Sequence, residues 1–349
     1  MFAKWMKLAV ALVILVAALT VVSAQLDENL VDYCAIVAEQ DCQILVMNEI
    51  TMNSVSSFSA DFEFAIDLVV EDGADEASAR AEASSLDMVG TMSISIDPDV
   101  LSKWTNLEAD MSYETMAALL EEFVSSLTGE MSVTIRDASG DEPSEIEIVA
   151  LMKDGVYVLE VATLEAMTGE SMGELEWLGI DTSGISEMLL EEAELDTSFR
   201  SMQVYSAMDE IGLEQHLTVE RLPDTEIMGS PAAVFDLSFD LASLLSSPEI
   251  QAFILSDQMD AEVSGSEFEA IIDMMGLTQM SVREYIGLAD FYTYRGDVTL
   301  SSNYDGEYGS FQLTMLARVE MRDHNMPVDV AIPEDAFVLP LSMLNMLGS

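Results

Sequence analysis

Positive charge is what this sequence has least of: 12 lysines and arginines stand against 65 aspartates and glutamates in 349 residues, a formal net charge of −53. Such a polyanion repels phosphate backbones and anionic lipid surfaces, which excludes nucleic acid as a partner. Lysine after residue 7 is limited to Lys103 and Lys153, a bias that suits a salt-rich or divalent-ion-rich exterior where counterions screen self-repulsion. Histidine is scarcer still. His216 and His324 are too few and too dispersed for an ordinary zinc site, and no glycine-rich phosphate loop or basic aromatic patch is present, so no cofactor is expected.

Long apolar runs are missing too, except at the start. Lys4 and Lys7 precede an uncharged stretch from Leu8 to Val22, and Val22-Ser23-Ala24 supplies small residues at a cleavage position. This reads as a signal peptide over 1–24 with Gln25 as the mature N-terminus. An uncleaved anchor is the alternative, but the run falls short of the roughly 20 residues a spanning helix needs. No cysteine sits at the cleavage site to accept a lipid. The expected location is secreted or extracytoplasmic, in a periplasm or at the cell exterior, with no stable membrane span after cleavage. High net charge also invites a disordered reading, yet 50% of the residues are hydrophobic, enough to pack a core beneath an acidic shell.

Cysteine occurs twice, at Cys34 and Cys42, and an exported protein normally pairs such residues. On one continuous helix their Cα atoms would lie ~12 Å apart, beyond the ~4.4–6.8 Å of a disulfide. Either the chain turns between them or they stay unbridged. Asp41 as the N-cap of a helix from Cys42 to about Val55 leaves Cys34 in a preceding turn and favours the bridge.

What the chain has in abundance is alternation. Phe58, Ala60, Phe62, Phe64, Ile66, Leu68 and Val70 share one face of a strand, with Ser59, Asp61, Glu63 and Asp67 on the other. The period of two recurs at Leu86, Met88, Met92, Ile94 and Ile96, at Met131, Val133 and Ile135, at Ala233, Phe235, Leu237, Phe239 and Leu241, and at Phe311, Leu313, Met315, Ala317, Val319 and Met321. Strands with one wet face belong to antiparallel sheets. Asp72 to Ser85 and Asp137 to Ser144 read as surface loops, and Asp305-Gly306 as a tight hairpin turn joining the last two long strands. Helical spacing marks Tyr113 to Leu127, Leu241 to Ile254 (interrupted by Pro248) and Phe268 to Met275 as amphipathic helices laid on the sheet.

Chemistry-bearing motifs are weak. Gly169-Glu170-Ser171-Met172-Gly173 matches the G-x-S-x-G elbow of serine hydrolases, but no buried strand leads into it, no helix follows it, and the alternation conflicts with the parallel sheet that elbow needs. The acidic groups Asp137, Asp141, Glu142 and Glu145, or Asn303, Asp305 and Glu307, offer oxygen ligands for calcium without the spacing of an EF-hand loop. His216 falls on the polar side of a strand from Leu213 to Val219. No catalytic or metal site is expected, and the protein reads as a non-enzyme.

The closing stretch is more informative. Ala317-Arg318-Val319-Glu320-Met321-Arg322-Asp323-His324-Asn325-Met326-Pro327-Val328 and the Ile332-Pro333-Glu334-Asp335-Ala336 that follows resemble the end of LolA/LppX-like extracytoplasmic carrier proteins. The opening Ser57-Phe58-Ser59 and the segment Asp154-Gly155-Val156-Tyr157 are similar too, and the order of elements extends the likeness over 47–337. The resemblance implies an α+β fold: a curved, incompletely closed antiparallel β-sheet, or half-barrel, with amphipathic helices over its concave face. It further implies that acyl chains or lipidated partners are held between sheet and helices. The chain departs from many such proteins in lacking a cysteine directly after its signal.

The expected organisation is a signal peptide over 1–24, an N-terminal helical segment over 25–57, the half-barrel over 58–337 and a tail over 338–349; two lobes sharing one sheet is the alternative. The expected function is binding of a lipid or other apolar small molecule. The lining would be Phe62, Phe64, Ile66, Met88, Met92, Ile94, Met131, Val133, Phe235, Leu237, Phe239, Leu313 and Met315, in a cavity on the order of 300–1,000 Å³. Methionine adapts to flexible chains, and the sequence has 25. The competing readings are a structural or interaction module of the cell envelope, with an envelope protein as partner and the same face filled as core, and behind it a secreted esterase.

Overall fold

The computed structural model describes residues 33–72, 81–105, 113–138, 144–168, 171–187, 215–240, 243, 278–306, 309–341 and 343. The expected signal peptide and the two helices placed between Leu241 and Met275 lie outside them, apart from residue 243.

Two helices come first, α1 (Tyr33–Ile36) and α2 (Glu39–Met52). The chain turns between them, so Cys34 and Cys42 approach to 5.0 Å between Cα atoms and form a disulfide. The expected N-cap is corrected by the same turn. Because the chain bends at residues 37–38, α2 starts at Glu39 with Ala38 at its N-cap, and Asp41 falls inside the first turn. There its charge faces the positive end of the helix dipole and accepts a hydrogen bond from Arg221 at 3.2 Å.

The first half of the sheet contains β1 (Ser57–Asp72), β2 (Ala81–Ser95), β3 (Thr128–Asp137), β4 (Ser144–Lys153), β5 (Val156–Glu160) and β6 (Trp177–Asp181). Helices α3 (Pro98–Thr105) and α4 (Tyr113–Ser126) separate β2 from β3, and α5 (Val161–Thr168) separates β5 from β6. The second half contains β7 (Leu217–Ile227), β8 (Ser230–Phe239), β9 (Thr278–Gly287), β10 (Thr293–Gly306) and β11 (Gly309–Arg322), followed by β12 (Phe337–Pro340). The order across the sheet is β12-β6-β5-β4-β3-β2-β1-β11-β10-β9-β8-β7. Two meanders are thus joined where β1 lies beside β11. All neighbours are antiparallel except β12 and β6. The edge strands β12 and β7 do not pair with each other, so the sheet stays open as a half-barrel.

Several expected boundaries shift. The loop placed at Asp72 to Ser85 shortens, because β2 pairs with β1 from Ala81 opposite Glu71 onward. His216 precedes β7, which begins at Leu217. β12 carries the sheet past residue 337 to Pro340. The β10–β11 hairpin is present, but Asp305-Gly306 is not its turn: both residues pair within the strands, Gly306 opposite Gly309. Two-residue turns with positive φ lie at Asp154 (51°) and Gly155 (77°), between Lys153 and its partner Val156, and at Met228 (50°) and Gly229 (80°), between Ile227 and its partner Ser230.

The motifs that carried the family resemblance meet in space. Asn325, with φ of 57°, accepts a hydrogen bond from the Ser56 amide on its Oδ1 at 2.9 Å and donates its own amide to the Ser57 carbonyl at 2.7 Å. Ser57 Oγ donates to the Met326 carbonyl at 2.6 Å. The turn after β11 is thereby pinned to the start of β1. Beyond it Val330 is buried, and its carbonyl accepts from Lys153 Nζ at 2.7 Å.

Replacing Asn325 with Ala removes the side-chain acceptor and leaves a Cβ in a left-handed conformation; it should cost about 1–3 kcal/mol in urea unfolding, and Asn325→Gly less. The Cys34–Cys42 link closes a short loop, so Cys34→Ser with Cys42→Ser should lower stability by roughly 2–3 kcal/mol. A thiol assay on the unreduced protein should find no free cysteine.

Candidate functional site

Strand register sorts the side chains by face. On β1 and β11 the pairs Ala60–Met321, Phe62–Val319, Phe64–Ala317 and Ile66–Met315 lie on the apolar side. The pairing of β2 and β3 continues that side through Met88, Met92, Ile94, Met131 and Val133. In the other half it passes through Val298 and Leu300 on β10 and Val282 on β9 to Leu237 and Phe239 on β8. All thirteen expected lining residues therefore share one face.

They do not form one cluster. Phe62, Phe64, Met88 and Val133 are buried in a central group with Met52, and Ile66, Met92, Met131 and Met315 pack against it half-buried. Phe235 and Leu237 are buried in a second group with Leu45, flanked by Phe239. Ile94 and Leu313 are half-buried on the same face but belong to neither group. Helix α2 spans both, because Cys42, Leu45, Asn48, Glu49 and Met52 make its buried stripe. Within the central group Gly90 faces Phe62 across the ladder, and the Phe62 ring fills its place: a Cβ on Gly90 would lie 2.5 Å from Cζ.

Between the two groups runs a polar seam that the sequence reading missed. Asn48 of α2 donates to Thr293 Oγ1 at 2.9 Å and to the Phe291 carbonyl at 2.7 Å. Next to it on the sheet is Glu284, opposite Phe235 on one side and Gly296 on the other, with Val282 and Ile286 as its same-face neighbours. Its side chain is buried, and desolvation pushes its pKa up to about 7. The nearest cation in that row is Arg221, two strands away over the Phe235 ring at 5.1 Å. Asp41 and Asp224 already engage it.

The opposite face is charged and holds a groove of about 580 Å³. A row of alternating sign crosses it: Asp236, Arg283, Asp297, Arg318 and Glu63 lie side by side on β8, β9, β10, β11 and β1. Arg283 donates to Asp236 at 2.9 Å and Arg318 to Asp297 at 2.9 Å. Burial alone would raise the pKa of Asp297; bonds from Arg295 and Arg318 outweigh it and hold the carboxyl below its ordinary value. The exposed Val89 and Leu316 sit among these charges. The expected apolar lining does not shape this groove: of the thirteen residues Phe64 and Met88 border it, and their side chains belong to the other face.

The hydrolase-like motif is placed differently from an elbow. Ser171 follows a helix, α5, and donates to Glu165 at 3.1 Å. His216 Nδ1 lies 2.9 Å from Ser243 Oγ, and His324 is stacked on Tyr292 at 4.4 Å, its pKa lowered by burial. Of the acidic groups considered for calcium, Asp141, Glu142 and Glu307 lie outside the described residues, and Glu145 accepts from Arg136 at 2.8 Å. No helix among the described residues is long and apolar enough to cross a membrane.

No protein-family model and no curated protein matches the chain. Solved structures do. LprF from Mycobacterium bovis aligns over 86% of this chain and 98% of its own, at 10% identity and a TM-score of 0.29. The lipoprotein LppX of Mycobacterium tuberculosis aligns over 83% and 97%, at 9% identity and a TM-score of 0.23. An outer membrane lipoprotein-sorting protein domain from Vibrio parahaemolyticus aligns over 78% and 87%, at 6% identity and a TM-score of 0.13.

Glu284 gives a pH signature. Its raised pKa means that, between the unfolded value of 4.5 and about 7, the unfolded chain gives up this proton first. Stability therefore falls as pH rises through that window, by on the order of 3 kcal/mol in full. Glu284→Gln should match the parent near pH 4 and exceed it at pH 8 in paired urea titrations.

Proposed function

We propose that the protein is a non-enzymatic, extracytoplasmic binder of a lipid or other apolar ligand, exported by the signal peptide over 1–24 and beginning at Gln25 when mature. The observation that carries this reading is an apolar face continuous over many strands and deeply covered only in part. Phe62, Phe64, Met88, Val133, Phe235 and Leu237 are buried, whereas Ile66, Met92, Ile94, Met131, Phe239, Leu313 and Met315 remain half-buried on the same side. Three of those seven are methionines, whose unbranched side chains reshape around flexible chains at little cost. The disulfide supports an oxidising compartment, and the net charge of −53 supports a ligand other than an anionic surface.

Native mass spectrometry after gentle purification, with lipid extraction, should find a co-purifying amphiphile on a chain that begins at Gln25. Met92→Asp places a carboxylate on the half-buried rim, where the variant can fold but must desolvate the charge beside a ligand; retained amphiphile should drop by about tenfold or more. A ligand-free wild type whose sheet and helices pack without a gap would instead make the apolar face the filled core of an envelope module.

A further inference from the structure

The apolar face carries one acidic side chain of the sheet deep within it. Glu284 is 5% exposed, and among the described residues no group hydrogen-bonds or ion-pairs with its carboxyl; burial is the one influence on its titration. Across the ladder, Gly296 leaves room on the same face: a Cβ there would meet no heavy atom of the described residues within 4 Å. The contrast with Gly90, farther along the same row, is informative, because there the Phe62 ring fills the equivalent space. One glycine of the row is occupied from within the protein. The other is open among the described residues, and it lies beside a buried carboxyl that no described group pairs.

We propose that Glu284 and the space over Gly296 form a subsite for an ammonium group, and that the ligand of the apolar face is an apolar chain ending in a protonated amine. This rests on the apolar-ligand reading given above. An ammonium brings a countercharge and three hydrogen-bond donors to an acceptor that no described group satisfies. An apolar chain extends from the subsite along Val298 and Leu300 or toward Phe62 and Val319, all on the same face. The net charge of −53 draws cations toward the protein and repels fatty acids and phosphate-headed lipids. Helix α2 adds a second buried carboxyl, Glu49, to the cover of this face and no cation.

The test is displacement of diphenylhexatriene from the full chain by decylammonium, decanol and decanoate at neutral pH in 0.3 M sodium chloride. Decylammonium should displace the dye at a concentration about tenfold or more below that of decanol, with decanoate weakest. Glu284→Gln should bring amine and alcohol level. Since it alters a net charge of −53 by one, general attraction to the acidic surface survives the substitution. Gly296→Val keeps the carboxyl but fills the space, and should lose the preference as well. If Glu284→Gln or Gly296→Val, folded by circular dichroism, keeps the preference for the amine, the subsite is wrong. If wild type binds alcohol and amine equally, the subsite is again wrong while the apolar-ligand reading stands. If dye and all three probes fail to bind, both fall together.

Discussion

The ladder between β1 and β11 is the constraint on which both faces of the sheet depend. It runs from Ser59 opposite Arg322 to Asp72 opposite Gly309, and it joins strands from nearly opposite ends of the described chain. Each meander on its own would carry two open edges, whereas joined they leave only β7 and β12 exposed. A slip of β11 by one residue would turn Val319 and Met321 outward and bring Arg318 and Glu320 to the core side. The bonds of Asn325 to Ser56 and Ser57 sit at the end of this ladder, where they fix its phase.

With the register set, the charges of the outer face follow. Arg283, Arg295, Arg318 and Arg322 stand on adjacent strands, each beside a carboxylate from a neighbour. Most of these pairs are exposed and individually contribute little. Their weight lies in arrangement: in a chain so acidic, arginine placed between carboxylates removes like-charge contacts that would otherwise oppose strand pairing. Asp297, half-buried between Arg295 and Arg318, is the member whose burial makes both partners necessary.

Much of this was legible in the sequence where alternation is clean. β1, β2, β3, β8 and β11 could be read from their periods, as could the apolar face and α4, because one side of each is wet. β9 was missed because Glu284 occupies an apolar slot between Val282 and Ile286, which breaks the pattern that identifies a strand. α2 was legible as a helix from Cys42 to about Val55, but its buried stripe was not, because Asn48 and Glu49 stand in the middle of it. The hairpin between β10 and β11 was found but its turn misplaced, since a Asp-Gly pair favours a turn without fixing which residues pair across it. What local periodicity cannot convey is which strands lie side by side across the sheet. The division of the thirteen lining residues into two groups, with a polar seam between, depends on that order.

The irregularities coincide. Glu284 interrupts the period of β9, Gly296 leaves a gap in β10, and Asn48 and Glu49 interrupt the stripe of α2, and pairing and packing bring the three elements together over one part of the face. A core selected for stability alone would place apolar residues at such positions, since an unpaired buried carboxyl costs more than a well-packed hydrophobe of similar volume. Thr293 and Asn48 satisfy each other, so their burial is compensated within the protein. No described group compensates Glu284 in this way, and no described atom crowds Gly296 beside it. Sequences that are otherwise locally consistent break their own rules chiefly where function requires it. The seam is therefore the part of the apolar face least explained by folding, and the proposed ammonium subsite is assigned there for that reason.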